Sequence, residues 1–391
     1  MQSAVASARA HSSQALGADL AERQAQAAYR QAQRGLGPSL SAVALYSDSD
    51  DPGLQQHDAN QAGLHLGFDG LPWGSTAASA NVEMGRWRQA AVQRELDFQD
   101  LDYRVRVSYL SVLEARSNQE AVEKVRNKIT DELQRYLPGF QAGGGPVLEQ
   151  VKIQAFVAAL EGQWGQARLQ ALANEDEFRR LLDLADDEPL ELEAVTDAGQ
   201  AWETADLGQD SPQLQVLRAA VLIQESQLQL SSLKRLPNLE LGADYGYSGR
   251  VWHEQAMGWG VKLGLSLPIW DWGRLSAEKD QASAQWALAK VHEKEGQQRG
   301  RAELRQLQRQ IRVMQEDQKR LEALLPRLEA AATASARRYR LASLTLLDVT
   351  DIYSQWLQTL QAERSDHYDR LEAVARLAQL SGRPFEAVDA P

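Results

Sequence analysis

Four segments of the chain alternate apolar side chains with polar ones or glycine, and most of what separates them carries a helical period. Leu239-Glu240-Leu241-Gly242-Ala243-Asp244-Tyr245-Gly246-Tyr247 alternates without a break, and Met257 to Leu267 does so over 11 residues. Ala62-Gly63-Leu64-His65-Leu66-Gly67-Phe68 repeats the pattern in the first half, and Ser39 to Ser47 shows it most weakly. Successive strand side chains point to opposite faces, so each segment predicts a strand with one greasy and one polar face. A half-buried strand in a soluble sheet has the same pattern. Two features favour a membrane wall instead. The longest segment matches the roughly 9–11 residues of a tilted membrane strand, and the polar face is rich in glycine and charge, as in a barrel lumen. The predicted strands cover about 39–47, 61–69, 238–247 and 257–267.

Helix formers dominate elsewhere. From Ser276 to about Tyr339 the chain is mostly Ala, Gln, Glu, Arg, Lys and Leu, and roughly 60 residues at ~1.5 Å each make a rod of about 90 Å. A matching rod runs from Thr76 to Tyr136. Apolar residues recur every three or four positions, as in Leu217, Val221 and Leu228, and in Leu346, Val349, Ile352, Tyr353, Trp356 and Leu360. Such narrow stripes fit long antiparallel helix pairs. Gly296, Gly300 and Pro326 are expected to interrupt or bend the second rod.

The two halves match at an offset of 199 positions. Ser12 corresponds to Ser211, Pro38 to Pro237, Gly74 to Gly273, Phe140 to Tyr339, Gly143 to Ala342 and Glu149 to Asp348. Only the hairpin slips, with Leu71-Pro72 answering Leu267-Pro268. Each half then reads as helix, strand, strand, long helix, helix: a first repeat over 1–182 and a second over 211–381. Residues 183–210 join them and contain no Lys or Arg. They read as a solvated acidic linker, or else as a small belt packed around the rods. Residues 382–391 read as a loose tail.

Composition narrows the function. With 42 basic and 54 acidic residues among 391, the net charge is −12. That argues against a nucleic-acid partner, which needs a basic stripe. The absence of cysteine excludes disulfides, thiolate metal sites and cysteine nucleophiles among these residues. No apolar run approaches a spanning helix. Met1-Gln2-Ser3-Ala4 lacks the basic and apolar regions of a signal peptide, so the sequence reads as a mature or trimmed product. HExxH, GxSxG, P-loop and Rossmann signatures are missing, which points away from an enzyme and from cofactors. Gly143-Gly144-Gly145 allows a tight turn but lacks the Lys-Ser/Thr of a phosphate loop. His57, His65 and His253 show no metal-ligand spacing.

Four strands per chain cannot close a membrane barrel, since eight is about the smallest, and a bilayer cannot satisfy open strand edges. Copies must share the wall. The two-fold repeat, Leu267-Pro268-Ile269-Trp270-Asp271-Trp272-Gly273-Arg274, the run Tyr339-x-x-Ala342-x-x-Thr345-x-x-Asp348-Val349-x-Asp351, and Ser211-Pro212-x-Leu214 opening a helix that ends near Leu236-Pro237 resemble the TolC-type outer-membrane efflux family over nearly the whole chain.

The resemblance implies a mainly α chain with a membrane β-barrel portion. It would form a homotrimer with a 12-stranded barrel in outer-membrane lipid and a long helical tunnel in the periplasm of a Gram-negative bacterium. A periplasmic adaptor and an inner-membrane pump would be its partners, in tripartite efflux or type I secretion. The chain itself would need neither cofactor nor metal. Asp348 and Asp351 fall on the family's acidic rings at the periplasmic entrance. Glu149 and Tyr339 fall on its latch, whose partner arginine would be Leu344 here, with Lys152 or Arg340 as the basic substitutes. Gly143, Arg338, Leu341 and Ala342 fall on the turns where adaptors dock; the family's turn glycine is Ala342 here, a departure expected to reshape that tip. Trp73, Trp270 and Trp272 suit interfacial anchors or packing against helices, and Trp252 belongs near the outer mouth. The competing readings are a soluble periplasmic coiled-coil adaptor or scaffold, and a stand-alone porin, which leaves the rods unexplained.

Overall fold

The computed structural model describes residues 1–47, 59–69, 74–134, 147–185, 190–197, 202–203, 205–207, 211–249, 256–340, 343–382 and 388–389. The chain is mostly helical with a small sheet. Its helices are α1 (Gln2–His11), α2 (Ser13–Arg34), α3 (Ser75–Gln134), α4 (Val147–Leu182), α5 (Pro212–Leu233), α6 (Arg274–Arg340) and α7 (Leu346–Ser381). Its strands are β1 (Ser39–Ser47), β2 (Ala59–Asp69), β3 (Val195–Asp197), β4 (Asn238–Gly249), β5 (Ala256–Ser266) and β6 (Val388–Asp389). No helix among the described residues is long and apolar enough to cross a membrane.

Local chemistry sets several boundaries. The Ser12 hydroxyl accepts from the Ala15 amide at 3.1 Å and so caps α2. Ser211, its counterpart, instead donates to the Leu380 carbonyl at 3.1 Å and is fully buried. Asp271 accepts from the amides of Gly273 and Leu275 at 3.0 and 2.7 Å, tying down the start of α6. The chain turns into that helix through left-handed Trp272 and Gly273. At the other end of α7, Gly382 adopts φ 69° and returns its amide to Ala378 and Gln379, as a C-terminal glycine can.

The chain forms two compact units. Unit 1 comprises Met1–Leu16, Leu96–Ser211 and Arg299–Pro391. One of its cores gathers Leu101, Val105, Tyr109, Phe178, Ile311 and Leu371; the other gathers Val122, Val125, Ile129, Ile153, Tyr353 and Trp356. Arg9 grips the nearly buried Asp102 with two hydrogen bonds of 2.8 and 2.6 Å, holding α1 to α3. Unit 2 comprises Gly17–Glu95 and Pro212–Gln298. It holds the antiparallel sheet β1-β2-β4-β5, with Arg94 paired to Asp19 and Lys234 paired to Glu278 among its helices.

Three sequence expectations are corrected. The described part of 183–210 is not a solvated linker: Val195, Trp202, Ala205 and Leu207 are buried. Gln308 donates to the carbonyls of Trp202 and Ala205, Tyr109 to that of Glu193, and His367 to that of Val195. Its acidic residues Glu191 and Glu193 face outward while the scattered apolar ones are inserted. The tail is not wholly loose either, since β6 pairs with β3. Nor do Gly296, Gly300 and Pro326 interrupt the second rod, for α6 runs unbroken over 67 residues. The two glycines serve close packing instead. A Cβ on Gly296 would collide with Leu217 within unit 2, and one on Gly300 would come within 3.0 Å of Leu207 within unit 1.

Candidate functional site

Two places in the chain carry the chemistry that the sequence pointed to, one in each unit. In unit 2 the register of the sheet sorts its side chains strictly. Leu40 lies opposite Leu66, Leu64 opposite Tyr245, Leu241 opposite Leu263, and Tyr245 opposite Trp259. These residues share one face, and it is uncovered: Trp259 is 80% exposed and Leu263 70%. The face continues past β5 into Ile269 and the Trp270–Trp272 edge-to-face pair, whose two indoles are also exposed. Trp73, Trp252, His57 and His253 lie outside the described residues.

The opposite face is made mostly of small and polar residues, with Val43 of β1 among them opposite Gly63. Ser39, Ser41, Gly63, His65 and Gly67 face it from β1 and β2, and Glu240, Gly242, Asp244, Gly246, Gly260, Lys262 and Gly264 from β4 and β5. His65 lies directly opposite Asp244, and its Nδ1–H donates to Oδ1 across 2.5 Å. Gly63 and Gly246 also lie opposite each other, and the backbones of β2 and β4 nearly touch there. A Cβ on Gly63 would stand 2.5 Å from the Tyr245 carbonyl oxygen, and one on Gly246 would meet the Gly63 Cα closer still. Only glycine permits that approach.

In unit 1 the end of α6 and the start of α7 bring together several of the predicted residues. Thr345 caps α7 in a reciprocal box: the Asp348 amide donates to the Thr345 hydroxyl at 3.3 Å, while the Asp348 carboxylate accepts from the Thr345 amide and hydroxyl at 2.9 and 2.6 Å. Those bonds, the hydroxyl's first, hold the Asp348 carboxyl below the usual carboxylate range. Asp351, one turn on, accepts from the Gln355 side chain at 2.8 Å. Both carboxylates are exposed on one helix face. Beneath them Leu346, Val349, Tyr353 and Trp356 are buried.

Tyr339 is half-buried against that same core. Arg338 is exposed, and its carbonyl accepts from the Ser343 amide and hydroxyl at 3.1 and 3.0 Å. Leu344, where the latch arginine would fall, is partly buried. Glu149 lies in α4, but its side chain is outside the described residues, as are Gly143, Leu341 and Ala342 altogether. Lys124 and Lys128 stand over the Trp356 ring at 5.4 and 5.5 Å and both bond Glu329 at 3.1 Å, which stiffens the wall behind α7. Among the described residues no group of three or more His, Asp or Glu is placed to hold a metal.

Sequence reasoning missed two of these features. The Thr345-x-x-Asp348 spacing is a capping signature, but the charge of Asp348 drew attention away from it. The His65–Asp244 pairing depends on the register between strands far apart in the chain, which alternation alone does not set.

Residues 205–383 match the family model for outer membrane efflux protein. No curated protein matches the sequence. The fold resembles several solved outer membrane proteins, three of them as follows. The outer membrane protein VceC of Vibrio cholerae has TM-score 0.88 at 16% identity, over 98% of this chain and 96% of that one. The CmeC outer membrane channel of Campylobacter jejuni has TM-score 0.84 at 15% identity, over 98% and 86%. The MtrE outer membrane channel of Neisseria gonorrhoeae, in its open state, has TM-score 0.82 at 16% identity, over 98% and 89%. The family match thus covers residues 205–383, and the fold of solved outer membrane proteins extends over nearly the whole chain.

Proposed function

We propose that this chain is one subunit of a trimeric exit duct in the outer membrane of a Gram-negative bacterium. Solutes would pass through it passively, driven by an inner-membrane pump and delivered through a periplasmic adaptor. The sheet of unit 2 carries this reading. Its order leaves β1 and β5 as edges, and its apolar face is uncovered while the other face is glycine and charge. Unpaired strand edges cannot persist in hydrocarbon. Joining copies edge to edge removes them, and three copies of the four-stranded sheet give an even 12 strands. A soluble coiled-coil scaffold leaves the exposed Trp259, Leu263 and Trp270 without a purpose.

On the same reading the start of α7 borders the periplasmic entrance. Asp348 and Asp351 from three copies ring it with carboxylates that attract cations and impede anions. Glu149 and Tyr339 take part in its latch, and Gly143, Arg338, Leu341 and Ala342 receive the adaptor. Trp270 and Trp272 anchor the barrel at the membrane–water interface.

The chain has no cysteine, so thiols can be placed at will. Cysteines scanned along β1 and β5, beginning with Leu40→Cys and Leu265→Cys, are expected to cross-link on oxidation into covalent dimers and trimers in detergent-extracted outer membranes. A protein that stays monomeric in plain buffer, with no cross-linked ladder at any pair of positions, overturns the duct.

A further inference from the structure

His65 occupies a built site on the polar face of the sheet. Its imidazole lies across the floor formed by Gly67 and Gly242, neighbours in register and both buried. A Cβ on Gly67 would stand 3.1 Å from Nε2, and one on Gly242 would stand 3.2 Å from Cε1. The ring therefore needs both positions bare. Nδ1 is turned to Asp244 Oδ1 at 2.5 Å, and the two side chains remain 39% and 37% exposed. Lys262 of β5 is opposite Gly242, and Glu240 of β4 is opposite Gly264, so both stand on neighbouring rungs of the same face. From β1 the groups nearest this rung are uncharged; Ser41 donates to the His65 carbonyl at 3.4 Å. The glycines at 63, 246, 258 and 260 leave the adjoining surface without side chains.

We propose that His65 and Asp244, with Lys262 and Glu240 beside them, form a proton-dependent selectivity collar inside the barrel. This rests on the duct reading, in which the polar face lines the bore. Among the described side chains of the collar, Glu240 and Asp244 are negative and Lys262 is positive. With neutral imidazole these three side chains sum to one net negative charge per chain, and Asp69, opposite Glu240 in register, adds another. Protonation of His65 removes one, so a trimer loses three negative charges from its wall. Histidine is the side chain whose ordinary charge change falls between pH 5 and 8. Cations are favoured on the alkaline side, and the preference falls on the acid side. Because wall charges act only within a Debye length, about 8 Å at physiological salt and 30 Å at 0.01 M, the effect belongs to low ionic strength.

The test is the ratio of cation to anion permeability of the full-length trimer in planar bilayers, from reversal potentials between pH 5 and 8 in dilute potassium chloride. The expected result is a severalfold fall in that ratio on acidification, lost in His65→Gln. The sequence has six histidines, so loss in this variant is what assigns the effect. Asp244→Asn should keep the pH dependence but shift the ratio towards anions at every pH. A purely structural cross-strand pair would lower trimer stability in both variants without moving selectivity. Conducting trimers with a pH-independent ratio, or an unchanged pH profile in His65→Gln, overturn the collar alone. A protein that forms no conducting pore at any pH overturns the duct reading and the collar with it.

Discussion

At the scale of single residues, carboxylates in this chain have opposite circumstances that give opposite responses to pH. Asp348 is held ionised by its own helix cap. Its contribution to stability is present above the ordinary carboxylate range and is lost only as pH falls through its lowered value. Glu114, Glu363 and Asp366 in unit 1 are pushed up, first by burial and then by neighbouring carboxylates. Their stabilising contribution is full at low pH and lost as pH rises through the raised values. Unit 1 should therefore lose part of this contribution, read as melting temperature, as pH rises out of the ordinary carboxylate range, and Asp366→Asn should reduce that loss; a loss unchanged by the substitution would refute the assignment. For the entrance, Asp348→Asn with Asp351→Asn should raise anion permeability and remove block by polyvalent cations in planar bilayers. Asparagine keeps an oxygen for the Thr345 amide, so the same variant should fold. Unchanged selectivity would remove the ring assignment and leave the fold untouched.

At the scale of elements, the alternating segments were legible because a strand with two unlike faces writes its period directly into the sequence. Predicted β1 coincides with the observed strand, and the other three differ by a few residues at their ends. The rods were legible for the same reason of composition. What alternation could not supply was the order β1-β2-β4-β5, because β2 meets β4 across nearly half of the chain. Burial of Val195 and Trp202 was hidden as well, since a run of acidic residues outweighed a few apolar ones in the reading of 183–210. The glycines of α6 were misread as weak points because sequence does not reveal the neighbour that needs the room. The β2–β4 junction yields a sharp prediction. Gly246→Ala places a methyl against backbone atoms and should cost about 1–3 kcal/mol, as overpacking does, seen as a lower melting temperature of the protein. Gly258→Ala meets nothing within 4 Å and should be silent. At the start of α7, Thr345→Ala should cost ~1 kcal/mol through the lost cap, measured by denaturant midpoint.

At the scale of the whole molecule, the chain combines two kinds of surface that no monomer in water keeps. One is the apolar sheet face that runs into Trp270 and Trp272; the other is the pair of open strand edges at β1 and β5. On the proposed duct reading assembly relieves both at once, so trimer formation and membrane insertion are expected to be coupled rather than sequential. Protein refolded without detergent should aggregate or stay expanded, and adding detergent micelles should give trimers and protected strands in a single kinetic phase. Separate phases for trimer formation and strand protection would count against the coupling. Within the sheet, however, the pairings are not equally easy to make. The hairpins β1–β2 and β4–β5 close between residues near in sequence, whereas the junction of β2 with β4 joins residues 179 apart at His65 and Asp244. Local hairpins form fast and distant pairings slowly. The last zip to close should thus be the one at Gly63 and Gly246. Since that junction joins two covalently distant halves, a gene cut within residues 186–189 should still yield a working channel when both pieces are produced together.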